Sequence, residues 1–214
     1  MKSVCAVFIA IMFTIPLAGQ ARAGAAIGAL GGVTRMSWGG DVPDKGSYGS
    51  LMGLTAGAEI DIDIYRSTTL SLQPSFTQKG TKISFEVEGQ SERVDSVEVQ
   101  LDYFVLPLLI KVETLGGRFY VSGGLELGWL LSARYKTPTR DLDAEIDLEK
   151  YDLAVDFGIG YTIPAGRTGI WFELRYSQSL VNVGNEDTAP EGVITEPRVK
   201  NNGLMLLVGV LYDL

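Results

Sequence analysis

Residues 151–163, Tyr-Asp-Leu-Ala-Val-Asp-Phe-Gly-Ile-Gly-Tyr-Thr-Ile, decide how this chain folds. Tyr151, Leu153, Val155, Phe157, Ile159, Tyr161 and Ile163 are large and apolar. Asp152, Ala154, Asp156, Gly158, Gly160 and Thr162 between them are small or acidic. Period-two alternation is the mark of an extended strand with two unlike faces. Strands of soluble sheets usually run about 5–6 residues. At roughly 3.3 Å per residue and a tilt near 40°, this run rises about 33 Å, enough to cross the ~25 Å apolar band of an outer membrane. One face suits lipid and the other a polar interior, as in a strand of a transmembrane β-barrel.

The same alternation recurs along the chain. Turn residues divide it into eight candidate strands. The first, Ala25 to Ser37, is rich in Gly and Ala, and its facing is ambiguous. The second, Leu51 to Ile64, sets Met52, Leu54, Ala56, Ala58, Ile60, Ile62 and Ile64 against Gly53, Thr55, Gly57, Glu59, Asp61 and Asp63. The third, Thr69 to Lys79, contains Pro74, which lacks a ladder donor and predicts a bulge. The fourth, Val97 to Glu113, begins with Val99, Leu101, Tyr103 and Val105 against Glu98, Gln100 and Asp102. It then turns apolar on both faces, with Pro107 leaving the facing beyond it unassigned. The fifth is Arg118 to Arg134, the sixth the opening stretch, the seventh Gly169 to Leu180 and the eighth Asn202 to Leu214. Short connections (65–68, 114–117, 164–168) alternate with long ones (38–50, 80–96, 135–150, 181–201), the pattern of outer-membrane barrels with short periplasmic turns and long outer loops.

Export to such a membrane needs a signal. Lys2, the apolar run Val4 to Pro16 and the small-x-small triplet Ala21-Arg22-Ala23 read as a secretory signal peptide over residues 1–23, leaving residues 24–214 as a single barrel domain. Cys5 leaves with the peptide, so the remaining chain has no thiol chemistry. No apolar run reaches the ~18 residues of a helical span. The chain carries 18 basic and 26 acidic residues, net −8, and loss of Lys2 and Arg22 takes this to −10. Nucleic acid is therefore an unsuitable partner, since phosphate backbones need a basic face.

A soluble lipocalin-type barrel also alternates, but with its apolar face inside. Here the polar set holds Gly53, Gly57, Gly124, Gly128, Gly158 and Gly160 beside Glu59, Asp61, Asp63, Asp156 and Glu173, while the apolar set holds almost only large residues. A narrow barrel needs small residues inside, and a lipid-facing wall has no such crowding. Phe119, Tyr161, Phe172 and Tyr212 toward one edge, with Trp129, Tyr151 and Tyr176 toward the other, fit two interfacial girdles. The fold class expected is all-β: an eight-stranded antiparallel up-and-down transmembrane β-barrel in the bacterial outer membrane.

The segment Leu101-Asp102-Tyr103-Phe104-Val105-Leu106-Pro107-Leu108-Leu109-Ile110-Lys111 resembles the tyrosine-to-proline strand, followed by a basic residue, of small outer-membrane β-barrel proteins that include PorT-like proteins of the Bacteroidetes type. The resemblance implies a fold and a location more than an activity. Leu214 stands where such barrels usually carry phenylalanine, with Tyr212 two positions earlier, and recognition by the barrel assembly machinery is expected.

Chemistry is constrained by the absence of histidine, the usual general base of hydrolases and acyl transferases on small barrels. No catalytic motif, cofactor site or metal site stands out. Asp141, Asp143, Glu145, Asp147 and Glu149 put an acid at every second residue of the third long loop, without the glycine and bidentate pattern of a calcium loop. The remaining candidate is an interior charge network of Glu59, Asp61, Asp63, Glu126, Arg134, Asp152, Asp156, Glu173 and Arg175. It reads either as ion pairs and water filling the barrel or as a narrow cation path. Eight strands leave room for little more than side chains, so a wide pore is not expected. The expected role is structural or interactive through the outer loops, where Phe85, Val87 and Ile194 are the notable apolar residues. The alternatives are a small cation-selective channel and a soluble periplasmic binding barrel. Expected partners are outer-membrane lipid, lipopolysaccharide, the assembly machinery and a protein of unknown identity, with the chain itself a monomer.

Overall fold

The computed structural model describes residues 24–40, 46–85, 96–114, 118–137, 140–142, 149–182 and 198–214. The expected signal segment 1–23, most of the acidic run 141–149, and the loop residues Val87 and Ile194 lie outside the described residues. Among the described residues ten strands form: β1 (Ala25–Gly40), β2 (Gly46–Tyr65), β3 (Thr68–Leu72), β4 (Ser75–Phe85), β5 (Ser96–Glu113), β6 (Phe119–Thr137), β7 (Arg140–Leu142), β8 (Tyr151–Ala165), β9 (Thr168–Ser179) and β10 (Val199–Asp213).

Eight staves close a ring, because β3 and β4 are two halves of one stave and β7 only extends the edge of β6 beyond β8. Neighbours pair antiparallel in the order β1, β2, β3/β4, β5, β6, β8, β9, β10. The seam closes through β1 and β10, from Ala26 opposite Asp213 to Gly40 opposite Val199. Closure leaves no open edge along the staves, which a sheet in lipid requires.

Outward positions carry the apolar band. Leu153, Val155, Phe157, Ile159 and Ile163 of β8 face out, as do Met52 to Ile64 of β2 at even positions and Leu204, Leu206, Val208 and Val210 of β10. The aromatic residues of the expected girdles, among them Phe119, Tyr151, Phe172, Tyr176 and Tyr212, sit on this outer face. Phe119 packs on Tyr161 at one rim with centroids 4.7 Å apart, and Phe104 lies 5.9 Å from Trp129 toward the other. The first strand, ambiguous in sequence, points Ala26, Leu30, Thr34, Met36 and Trp38 inward.

Three expectations need correction. Pro74 interrupts the ladder, but Thr55↔Thr77 and Ile60↔Leu72 keep one register across it, so no bulge forms there. Gln73 N–H instead bonds Pro107 O, and Ala58 N–H bonds Pro74 O. The shift falls farther along, between Ser50 and Thr55, opposite the stretch holding Gly80, whose φ of 145° favours glycine. Second, Pro107 does not disturb β5, which pairs with β3 and β4 in one register from Thr68↔Val112 to Ser84↔Ser96. Third, the apolar set Val99, Leu101, Tyr103 and Val105 of β5 faces the interior rather than lipid, while Phe104, Ile110 and Val112 face out.

The reason is an apolar layer across the barrel. Trp38, Val99, Leu101, Tyr103, Val105 and Val199 pack together inside, with Tyr48, Ile83, Val97, Leu130 and Ala133 around them. This layer fills the end nearer the long connections. A second buried group, Leu30, Met36, Trp171, Met205 and Leu207, lines the opposite wall.

Candidate functional site

Between the apolar layer and the end with the short turns, most inward positions away from the β1–β10–β9 wall are polar. Thr55, Glu59, Asp61, Ser71, Gln73, Thr77, Lys79, Lys111, Ser122, Glu126, Asp152, Asp156, Glu173, Arg175 and Ser177 are all buried there by period-two facing of their strands. Six of these are carboxylates and three are bases, and each base serves two carboxylates.

Lys111, nearest the short turns, bonds Glu59 Oε1, and its Nζ lies 3.0 Å from Asp61 Oδ2. The same ammonium sits 5.4 Å from the ring centroids of both Tyr120 and Trp171. Arg175 forms the next tier. Its Nη2 is 2.6 Å from Glu173 Oε1 and 2.8 Å from Gln73 Oε1, with Nη1 3.9 Å from Asp156 Oδ2. Gln73 joins the two tiers, since its Nε2 donates to Glu59 Oε1 at 2.6 Å. Lys79 is the third base, 2.8 Å from Glu126 Oε1 and 2.9 Å from Asp152 Oδ2. It also lies 5.2 Å from the Tyr103 ring centroid, at the base of the apolar layer. Asp152 accepts from Ser179 Oγ and Asn201 Nδ2, and Asn201 Oδ1 accepts from Trp38 Nε1, tying the charges to the layer above.

Glycine opposite a large side chain makes this filling fit. A Cβ on Gly160 would lie 2.1 Å from Cζ of Tyr120, and one on Gly209 would lie 2.4 Å from Cε2 of Trp171. Small residues in the polar set therefore seat the aromatic rings of neighbouring staves.

Of the residues expected in the interior network, Glu59, Asp61, Glu126, Asp152, Asp156, Glu173 and Arg175 lie inside. Asp63 stands at the rim, where its Oδ1 accepts from Thr69 Oγ1. Arg134 is the correction. It lies on the outer wall, half-exposed, with Nη2 3.0 Å from Asp102 Oδ2 and with Gln78 and Gln100 also donating to Asp102. The cause is a register shift: Tyr103 pairs with Leu130 and Asp102 with Ser132, so Leu131 is an extra residue. It reverses the parity of β6 beyond Leu130. Lys79 and Lys111, the two bases that sequence reasoning missed, share parity with Thr77 and with Tyr103 respectively. Carrying the alternation through Thr77, and across Pro107, finds both.

The acidic excess stays on the open side. A cavity of about 630 Å³ opens at the short-turn end, lined in part by Asp61, Asp63, Lys111, Glu113, Tyr120, Trp171 and Asp213. No three described side chains of metal-ligating type converge on a common point. No described helix is long and apolar enough to cross a membrane.

Sequence comparison agrees with this geometry. The family model for the outer membrane protein beta-barrel domain matches residues 18–185. The chain belongs to that family. This outer-membrane barrel therefore resides in the bacterial outer membrane, and the soluble periplasmic barrel is overturned by the family match. Among solved structures it is similar to Neisserial surface protein A at 13% identity and a TM-score of 0.46, covering 87% of this chain and 97% of that one. OprG from Pseudomonas aeruginosa gives 12% identity and 0.46, covering 90% and 96%. Ail of Yersinia pestis gives 14% identity and 0.42, covering 88% and 99%. No curated protein matches the outer-membrane barrel.

Proposed function

We propose that this barrel is a structural or interaction protein of the outer membrane, exported by its signal segment and working through its outer loops rather than as a pore or an enzyme. The observation that supports this reading is the apolar layer of Trp38, Val99, Leu101, Tyr103, Val105 and Val199 across the interior, stacked on side chains locked in ion pairs. A hydrated ion would have to shed its water to pass such a layer, and hydrophobic constrictions block conduction by dewetting. The carboxylate-rich interior, which in sequence favoured a cation path, is a blind cup under this layer. The finer likeness to PorT-like proteins, carried by Leu101 to Lys111, belongs to the same reading. So do lipopolysaccharide around the outer rim, delivery by the barrel assembly machinery, an unidentified protein partner at the loops, and a monomeric state.

Conductance across planar bilayers tests it. The wild-type barrel should give no discrete current steps, while a Leu101→Ala, Val105→Ala double variant, which removes part of the layer, should leak cations. Steady cation-selective steps from the wild-type protein would replace this reading with the channel.

A further inference from the structure

The outer wall carries its charges unevenly. Toward the long connections, Lys82 lies 2.6 Å from Glu98 and Arg134 lies 3.0 Å from Asp102, so these outward bases of β4 and β6 have acids beside them. Across the ring the pattern breaks. Arg35 of β1 is exposed and faces outward, opposite Met52 of β2 and Leu204 of β10, and its side chain meets no hydrogen-bond or ion-pair partner among the described residues. Lys200 of β10, opposite Gly39, faces the same way and likewise has none among them. Within the apolar band, no outward position of β9, β10, β1 or β2 holds an acid. We propose that Arg35 and Lys200 clamp a phosphate group of an outer-leaflet lipid, an anionic glycolipid of the lipopolysaccharide type. The proposal rests on the reading that lipopolysaccharide surrounds the outer rim.

The height of Arg35 on the wall shows what it meets. The ladder that leaves β6 at Phe119, beside the short turns, passes through Val208 and Gly31 and returns to β6 at Trp129, ten residues higher. Eight staves share that climb evenly. Arg35 stands four residues above Gly31, and Trp129 lies half the ring farther on, so Arg35 is about level with the ring pair of Phe104 and Trp129. That is the outer edge of the hydrocarbon. A charge there must be paired or must reach to the interface. Val33, Met52 and Leu204 offer it apolar surface, and Ser37 above it turns its hydroxyl to Gly49 O.

Reaching outward brings the guanidinium to the layer of lipid phosphates. Lys200, four residues beyond Leu204 on the adjoining stave, approaches the same layer from the loop side. Between the two cations the wall is low, since Gly39 has no side chain and a Cβ on it would lie 2.5 Å from Asn202 Nδ2. The Asn202 amide therefore lies across this strip and adds a neutral donor. Arginine's planar fork takes phosphate oxygens in pairs, and lysine adds a point charge. Acyl chains of the same molecule can lie on Val33, Met52 and Leu204, which a soluble anion cannot use.

Native mass spectrometry of the full barrel in mild detergent tests the site. The probes are bisphosphorylated lipid A and the same lipid after phosphatase treatment. Wild type should retain the phosphorylated lipid and bind the treated one about tenfold more weakly. An Arg35→Gln, Lys200→Gln variant should lose about tenfold in affinity for the phosphorylated lipid while keeping the heat-dependent electrophoretic shift of wild type. Lys136→Gln, which removes an exposed base of β6, should bind like wild type. Inorganic phosphate should not displace the lipid. Equal affinity for the two lipids, unchanged binding by the double variant, an equal loss in Lys136→Gln, or displacement by inorganic phosphate would each overturn the proposal. Equal retention of both lipids would still leave lipopolysaccharide at the rim, whereas retention of neither would remove that reading as well.

Discussion

Lys79 on β4 reaches across the barrel to Asp152 on β8, its Nζ 2.9 Å from Oδ2, with both side chains shut off from solvent. The two residues are 73 apart in sequence and on staves that do not pair. The ion pair therefore braces opposite walls. Removing one partner of a buried pair leaves an uncompensated charge, which costs about 3–5 kcal/mol. Lys79→Met should lower barrel stability by that amount in urea titrations in lipid vesicles. Adding Glu126→Gln and Asp152→Asn should recover most of the loss.

Arg175 gathers Glu173, Gln73 and Asp156 in the middle tier. Arg175→Ala strands two buried carboxylates at once. The folded band in unheated SDS electrophoresis should convert to the unfolded mobility at a lower temperature than wild type, and an unchanged conversion temperature would remove the structural role assigned to this residue. The wild-type barrel itself should migrate differently with and without boiling.

The outward band makes a depth-dependent prediction. Leu125 lies outward near the middle of β6, between Phe119 and Trp129. Leu125→Arg should cost about 2–4 kcal/mol in vesicle unfolding, whereas Tyr151→Arg at the girdle should cost about 0–1 kcal/mol. Equal costs would mean that the band is misplaced.

Gly160 faces the Tyr120 ring, and an added methyl would overlap it. Gly160→Ala should destabilise by about 1–3 kcal/mol through overpacking. Combined with Tyr120→Leu, the cost should be less than the sum of the two single effects, as expected for residues sharing one space. Additive costs would show that the two side chains do not compete.

Most of the barrel is legible from alternation alone, because lipid outside and crowding inside impose opposite chemistries on successive residues. Strands such as β2 and β8, with large residues at one parity and glycine or acid at the other, admit one facing. Most of the failures share one physical origin. Where the interior changes from polar to apolar, β5 becomes apolar on both sides, and hydrophobicity no longer reports facing. Leu101 and Phe104 look alike in sequence, yet one packs inside the barrel and the other faces outward. The same loss of contrast hid Lys111 beyond Pro107. Arg134 was misplaced for a different reason: the extra residue Leu131 shifts parity where no glycine or proline marks it.

The three braces also constrain the order of assembly. Lys79 meets Glu126 and Asp152, Arg175 meets Gln73, and Trp38 meets Asn201 across separations of 47, 73, 102 and 163 residues. Adjacent staves, by contrast, can pair as hairpins soon after each is made. Backbone ladders thus form early, while neutralisation of Glu126 and Asp152 waits until β4, β6 and β8 stand in one sheet. A curved sheet of β6, β8, β9 and β10 alone lacks Lys79 and would present unpaired Glu126 and Asp152 to whatever fills its concave side, and hydrocarbon there would be prohibitive. Whatever inserts this chain must keep that hollow wet until β4 faces β6 and β8, so half-barrels should not accumulate in the bilayer as stable species.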